Sequence, residues 1–130
     1  MSMLVVEPDE AIRGSLRKWL LTRNPGWRIS EAANEEEAVL TAEAESPRVI
    51  LVDIADPRTD GLETIREIKE AAPQSALVAL VMRDDERYQH DLAAAGASAC
   101  VLIWKTQSEL IPKMRALLSG GCRNRIAGSC

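Results

Sequence analysis

The chain has 130 residues, of which 46% are hydrophobic and 28% charged, and its formal net charge is -4. This length suffices for one domain that buries a core without disulfides or structural metals, and the longest apolar runs are far too short to cross a bilayer. A net negative charge without a clustered basic stripe argues against direct nucleic-acid binding by this segment.

The N-terminal segment predicts a buried strand, an acidic turn and a helix. Leu4 to Val6 is a short, continuous apolar run, typical of a parallel strand that is covered on both faces. The acidic cluster that begins at Glu7 follows this run directly, which is unlike a secretory signal, so we expect a cytoplasmic protein. Asp9 is suited to cap the first helix, whose apolar positions are Ile12, Leu16, Trp19 and Leu20.

The rest of the chain alternates strand and helix patterns. A mixed polar and apolar stretch from Trp27 to Ala32 fits an edge strand, and Asn34 with Glu37 resembles a capping box for the second helix. Three further apolar runs predict strands 3, 4 and 5 over Val49 to Val52, Ala76 to Met82 and Cys100 to Trp104. Segments with helical spacing follow each of them, so strand and helix alternate five times.

This alternation predicts an α/β fold: a flavodoxin-like, doubly wound (βα)5 domain whose five-stranded parallel sheet has the order 2-1-3-4-5. Strands 1 and 3 are then neighbours at the topological switch point, and Glu7 and Asp53 follow them. We therefore expect both carboxylates in one crevice, where they can hold a hard cation such as Mg²⁺ and where one can attack phosphorus. The competing interpretation is that they are solvated loop residues.

The end of the chain predicts a tail. Apolar periodicity stops after Leu118, so we assign residues 1–118 to the domain and residues 119–130 to a flexible tail or linker. The tail contains Cys122 and Cys130, while Cys100 lies in an apolar run and is interpreted as a small buried hydrophobe. With one histidine, His90, and no CxxC spacing, the chain is not expected to bind zinc.

Three motifs resemble those of one known family. The segment from Leu51 to Glu63 has a strand-end Asp, a Pro four residues later and then an Asp-Gly pair. The segment from Leu4 to Arg13 is similar to the family's first strand and acidic turn, and the segment from Ala95 to Ser98 matches an Ala-Gly-Ala motif before strand 5. Together they resemble the receiver domain of response regulators in two-component phosphorelay signal transduction.

The resemblance implies the functional positions. Asp53 falls on the phosphoacceptor position, and Mg²⁺ would be held by Glu7, Asp53 and the main-chain carbonyl of Ala55. Receiver domains of this family are not enzymes in the usual sense, and they work with a histidine kinase or another signalling protein. A DNA-binding output domain beyond residue 130 is a further possibility that the resemblance opens.

The chain departs from the family pattern at several positions, which predicts a degenerate site. Pro8 stands where a second acidic residue contacts the metal, which would weaken Mg²⁺ binding. Val81 replaces the Ser or Thr of the switch and cannot donate to a phosphoryl oxygen. Cys100 replaces the aromatic switch residue, and Ile103 replaces a lysine.

Two arginines and one aromatic residue have open roles. Arg58 and Arg83 follow strands 3 and 4 and either pair with the carboxylates, which would offset the missing cation, or face solvent. Ile103 and Trp104 replace a Lys-Pro pair, and Trp104 either caps the core or anchors a partner on the face of helix 4, strand 5 and helix 5. That apolar pair predicts a homodimer.

We favour an atypical receiver that acts as a protein-interaction switch with weak or no dependence on phosphorylation. The alternative is a conventional, Mg²⁺-dependent receiver that controls an output domain. A flavodoxin-like enzyme or nucleotide-binding domain is disfavoured, because the loop from Glu7 to Glu10 is acidic and has no glycines to hold a phosphate.

Overall fold

Five parallel strands form one sheet in the order β2-β1-β3-β4-β5 in the computed structural model, which describes residues 1–120. This confirms the predicted flavodoxin-like α/β fold. The strands are β1 (Ser2–Val6), β2 (Arg28–Ala32), β3 (Val49–Asp53), β4 (Ala76–Val81) and β5 (Ala99–Leu102). The α-helices are α1 (Glu10–Arg23), α2 (Glu35–Glu45), α3 (Gly61–Ala71), α4 (Glu86–Ala95) and α5 (Thr106–Leu118).

Helices cover both faces of the sheet, which explains the continuous apolar runs. On one face, Leu4, Val6 and Val52 pack with α2, α3 and α4 through buried residues such as Ile65 and Leu92. On the other face, alternate strand residues pack with α1 and α5, and this second cluster includes Met3, Val5, Leu51, Leu80, Leu20, Leu110 and Met114. Because successive strand side chains point to opposite faces, a doubly covered strand must be apolar at every position.

Short polar side chains begin the helices where the sequence predicts caps. Asp9 Oδ1 accepts a hydrogen bond from the Ile12 amide at 2.9 Å, and Asn34 Oδ1 accepts one from the Glu37 amide at 2.8 Å. Each bond satisfies an amide that has no partner inside its helix. Both cap predictions are confirmed.

The end of strand 5 differs from the predicted boundary. β5 stops at Leu102, and a 3₁₀ turn over Ile103–Lys105 connects it to α5. Thr106 Oγ1 donates to the Ile103 carbonyl at 2.7 Å and fixes this turn. The apolar residues of the turn extended the strand-like pattern beyond the real strand.

The C-terminal boundary of the last helix coincides with the predicted end of periodicity, because α5 ends at Leu118. Residues 121–130, with Cys122 and Cys130, lie outside the described residues, and the assignment of a tail stays a prediction. Within residues 1–120 no helix is both long enough and apolar enough to span a membrane.

Two glycines are expected to respond in opposite ways to alanine. Gly96 ends α4 with φ +120°, and an added Cβ would lie 2.6 Å from Lys69 Cγ, so Gly96→Ala should lower the free energy of unfolding by about 1–3 kcal/mol. Gly14 lies within α1, and a Cβ added to it would have no atom within 4 Å. Gly14→Ala should therefore raise the free energy of unfolding by about 0.5–1 kcal/mol. Urea denaturation of both variants measures the difference, and equal effects would contradict this account.

Candidate functional site

Two carboxylates meet at the carboxyl edge of the sheet. Asp53 is the last residue of β3 and Glu7 follows β1, and these neighbouring strands pair Val6 with Val52. Both acidic side chains line one crevice of about 500 Å³. The predicted convergence of Glu7 and Asp53 is therefore what the structure contains, and it lies at the switch point of the strand order.

Glu7 is the more constrained of the two. Its side chain is 4% exposed, its Oε1 accepts the Asp9 amide at 3.1 Å, and its buried Oε2 has no hydrogen-bond partner among the described residues. Burial first, and then the contact with the Asp53 carboxyl, raises the pKa of Glu7 from 4.5 to about 8. In the absence of a cation, burial beside a second carboxyl group therefore favours the protonated form of Glu7 at neutral pH.

Asp53 is held by the loop that follows it. Its Oδ1 accepts the Ala55 amide at 2.8 Å, and the Ile54 amide donates to the Leu80 carbonyl at 3.0 Å. The loop is pressed against α3, since a Cβ on Gly61 would lie 2.8 Å from Ile54 Cβ. These contacts fix the direction of the Asp53 carboxylate, which is half-buried at the crevice.

The turn after β1 contributes a single carboxylate to the crevice. Pro8 is exposed and has no acidic group, and the Asp9 side chain is occupied as the cap of α1. Arg13 was not among the predicted site residues. Its Nη1 donates to the Glu7 main-chain carbonyl at 2.9 Å, and its Nε binds the Glu31 carboxylate at 2.9 Å.

Two of the three replaced switch positions do not line the crevice. Val81 and Cys100 are buried in the cluster beneath α2, α3 and α4. Ile103 lines the crevice beside Asp53, together with Trp104. Hydrocarbon therefore stands where the resemblance would put a cation.

The two arginines that were candidates for charge compensation bind acidic neighbours instead. Arg58 Nη2 lies 2.8 Å from Asp56 Oδ2, and Arg83 Nη2 lies 2.8 Å from Asp85 Oδ2. Each guanidinium lowers the pKa of its neighbouring carboxyl to about 2. Neither arginine contacts Glu7 or Asp53, and Lys105 Nζ lies 3.9 Å from Glu109. Within residues 1–120 no ion pair involves the side chain of either crevice carboxylate.

The apolar wall of the crevice was not predicted. Ile12, Leu16 and Trp19 of α1 have the helical spacing of a core-facing stripe. Leu16 and Trp19 do pack against the second core cluster, and all three also line the crevice. Periodicity identifies the inward face of a helix, but it does not distinguish core from crevice. The sequence feature that could have predicted an apolar wall is the position of Ile12 in the first turn of α1, shortly after Glu7.

Comparison with known proteins agrees with the fold. The response regulator receiver domain family matches residues 3–114. Response regulator MprA of Mycobacterium avium is 31% identical over 118 residues, which cover 91% of this chain and 51% of that protein. A two-component response regulator of the LuxR family from Aurantimonas sp. SI85-9A1 superposes with a TM-score of 0.80 at 25% identity, over 96% of this chain and 87% of the other.

The doubly wound sheet with two carboxylates at its switch point, together with these relatives, defines a two-component signalling protein. The chain belongs to the response regulator receiver domain family. It spans about half the length of the curated relatives that it matches.

Receiver domains generally bind Mg²⁺ at the phosphorylation site, and the residues of this crevice are compatible with a cation. The buried Glu7 Oε2 without a partner is an oxygen that a metal would satisfy. The number of candidate metal ligands is small, however, because residues 1–120 contain no cluster of three or more His, Cys, Asp or Glu side chains that could hold a metal ion. Water would have to complete an octahedral shell, which Mg²⁺ tolerates.

Proposed function

We propose that this chain is an atypical receiver that acts as a protein-interaction switch, with Asp53 as a phosphoacceptor that is used slowly or not at all. The observation behind the proposal is the composition of the crevice. Glu7 and Asp53 share the crevice with Ile103 and Trp104, and no ion pair within residues 1–120 involves either acidic side chain. A conventional, Mg²⁺-dependent receiver is the alternative.

Phosphoryl transfer to Asp53 requires charge neutralisation. The aspartate is negative and must approach a negatively charged phosphoryl group, so the reaction depends on a cation near both. If Mg²⁺ binds, Glu7, Asp53 and the Ala55 carbonyl would hold it, and the metal would offset this charge. Glu7 is a poor ligand at neutral pH because its pKa is raised to about 8, and Ile103 adds no positive charge.

The phosphorylated state would also gain few new contacts. Val81 has no hydroxyl, so β4 offers no hydrogen bond to a phosphoryl oxygen at this position. Cys100 is 4% exposed and fills a packed site, with no ring to move. If the phosphoryl group makes the same contacts in both conformations of the domain, phosphorylation does not shift the equilibrium between them.

The proposal is tested by incubating the chain with Mg²⁺ and phosphoramidate and following its intact mass, with Asp53→Asn as the control. We expect less than stoichiometric labelling over the time in which a conventional receiver is fully labelled. Amide NMR spectra before and after should show few changes in β4 and β5. Rapid, complete labelling at Asp53 with shifts across both strands would establish the conventional alternative.

The proposed partners are based on the family and on the share of the relatives' length that this chain covers. A histidine kinase or another signalling protein is the proposed partner, and direct nucleic-acid binding by residues 1–120 is not proposed. The relatives include a protein named transcriptional regulatory protein DegU from Brevibacillus brevis, of which this chain covers 51%. An output domain that binds DNA is therefore proposed for a longer form of the protein.

Self-association through α4, β5 and α5 is a further expectation. Trp104 is 63% exposed in the turn between β5 and α5, and an exposed Trp is a favourable interface anchor. We expect sedimentation at micromolar concentration to show a dimer that Trp104→Ala weakens about tenfold or more. Leu40→Ala, which removes an exposed residue on α2, is the control, and identical monomers for all three proteins would refute this interface.

A further inference from the structure

The crevice combines two acidic side chains with a largely apolar lining. Glu7 and Asp53, at the carboxyl edge of the sheet, form its acidic end, and most of the other lining residues come from α1 and from the turn after β5. The apolar lining residues are Ala11, Ile12, Leu16, Trp19, Leu80, Ile103 and Trp104. A volume of about 500 Å³ is within the range of small-molecule sites, ~300–1,000 Å³.

Two features indicate that the acidic end is suited to a cation. The side chain of Glu7 is 4% exposed, and its Oε2 is buried in the crevice without a hydrogen-bond partner in the described chain. The nearest arginine, Arg13, binds the Glu7 main-chain carbonyl and the Glu31 carboxylate rather than the crevice side chains. A ligand with N–H donors would satisfy this oxygen and balance the charge of Asp53.

The apolar lining of the crevice is suited to hydrocarbon. Ile12 is 48% exposed and Trp104 is 63% exposed, and both line the crevice. Trp19 also lines it and is partly buried. Indole rings bind apolar groups and also stabilise nearby cations through their faces. Hydrated Mg²⁺ uses none of this surface.

We infer that the crevice binds a small organic amine with an apolar body, with its ammonium group between Glu7 and Asp53 and its hydrocarbon along Ile12, Trp19 and Trp104. The choice of ligand class follows from the lining, because an ammonium group can donate to both acidic side chains and favours their ionised forms, while most of the other lining residues are apolar. Binding needs no phosphoryl transfer, so it goes beyond the proposed function and its failure would leave that proposal unaffected. Such a ligand would give a receiver with slow phosphorylation another input.

Calorimetric titration of the full chain with 4-phenylbutylamine tests the inference. The matched neutral probe is 4-phenylbutan-1-ol, which has the same body without the charge. We expect the amine to bind at least tenfold more tightly than the alcohol, since hydrogen bonds to charged groups stabilise by ~1.5–3 kcal/mol and each 1.4 kcal/mol is tenfold. Tryptophan fluorescence should change with the same midpoint, because Trp19 and Trp104 line the crevice.

Three variants separate the acidic end from general charge effects. Glu7→Gln and Asp53→Asn should each weaken amine binding about tenfold and leave alcohol binding unchanged. Glu36→Gln removes an exposed carboxylate in the first turn of α2 and should change neither. Thermal unfolding verifies that each variant is folded. If Glu7→Gln does not fold, Asp53→Asn, at a half-buried position, still tests the role of the acidic end.

Several results would overturn the inference. Equal affinity for the amine and the alcohol would show that the charge of the ligand does not contribute to binding. Unchanged amine binding in both Glu7→Gln and Asp53→Asn would show that the ligand binds outside the crevice. Binding of MgCl₂ without any binding of the amine would mark the crevice as a metal site only. Binding of a lysine-containing peptide without binding of the amine would identify a protein partner as the occupant instead.

Discussion

Replacing Pro8 by Asp and Ile103 by Lys in the same chain is expected to raise the rate of Asp53 phosphorylation by roughly 10²-fold or more. The first change returns a carboxylate to the turn beside Glu7, and the second puts an ammonium group on a residue that already lines the crevice. Both changes add the charges on which transfer to an aspartate depends. The rate is measured as intact mass against time with Mg²⁺ and phosphoramidate.

The control for the added lysine is Gln74→Lys, which makes the same change in net charge in the loop before β4, at the opposite edge of the sheet. It should leave the rate unchanged, because the effect of the Ile103 substitution depends on position and not on net charge. Each single substitution should give a smaller increase than the pair. No acceleration in the double variant, with its fold intact, would show that the missing charges do not limit the reaction.

Glu7→Gln is expected to remove a pH dependence of stability between about pH 4.5 and pH 8. The folded protein keeps the Glu7 proton up to about pH 8, whereas the unfolded chain releases it near 4.5. Over this range the native state binds more protons, so the free energy of unfolding falls as pH rises, by at most on the order of 5 kcal/mol. The Gln variant cannot ionise, and its stability should be nearly constant over the same range.

Urea denaturation at several pH values in the presence of EDTA measures this effect, because a bound metal would favour the ionised form. Glu36→Gln serves as the control and should keep the slope of the wild type, since its carboxylate is exposed. Asp56 and Asp85 have pKa values lowered to about 2, so they affect stability only in more acidic solution. A slope that Glu7→Gln leaves unchanged would place Glu7 ionised at neutral pH.

The sheet and its order could be predicted because the determining signals are local and strong. Strands such as Val49–Asp53 are apolar on both faces, and Asp9 and Asn34 mark helix starts by their own side-chain chemistry. The convergence of Glu7 and Asp53 then follows from topology alone.

The rest of the site depends on geometry that a sequence pattern does not contain. Arg58 and Arg83 are two residues from an acidic neighbour, and only the loop conformation decides that each binds that neighbour. Ile103 and Trp104 extend an apolar run, yet the backbone turns at this point and puts both at the crevice. The raised pKa of Glu7 results from burial, which the sequence alone does not measure.

Helix α5 connects two distant parts of the molecule. Its first residues, Thr106 and Gln107, line the crevice, and its last residue, Leu118, is where the chain leaves the sheet. A helix of 13 residues is about 20 Å long, and Pro112 in its interior removes one hydrogen bond from its ladder. A tilt of α5 at the crevice would displace Leu118 at the other end of the helix, unless the helix bends at Pro112. Such a movement would connect the crevice to the end of α5 without any change at the buried positions Val81 and Cys100.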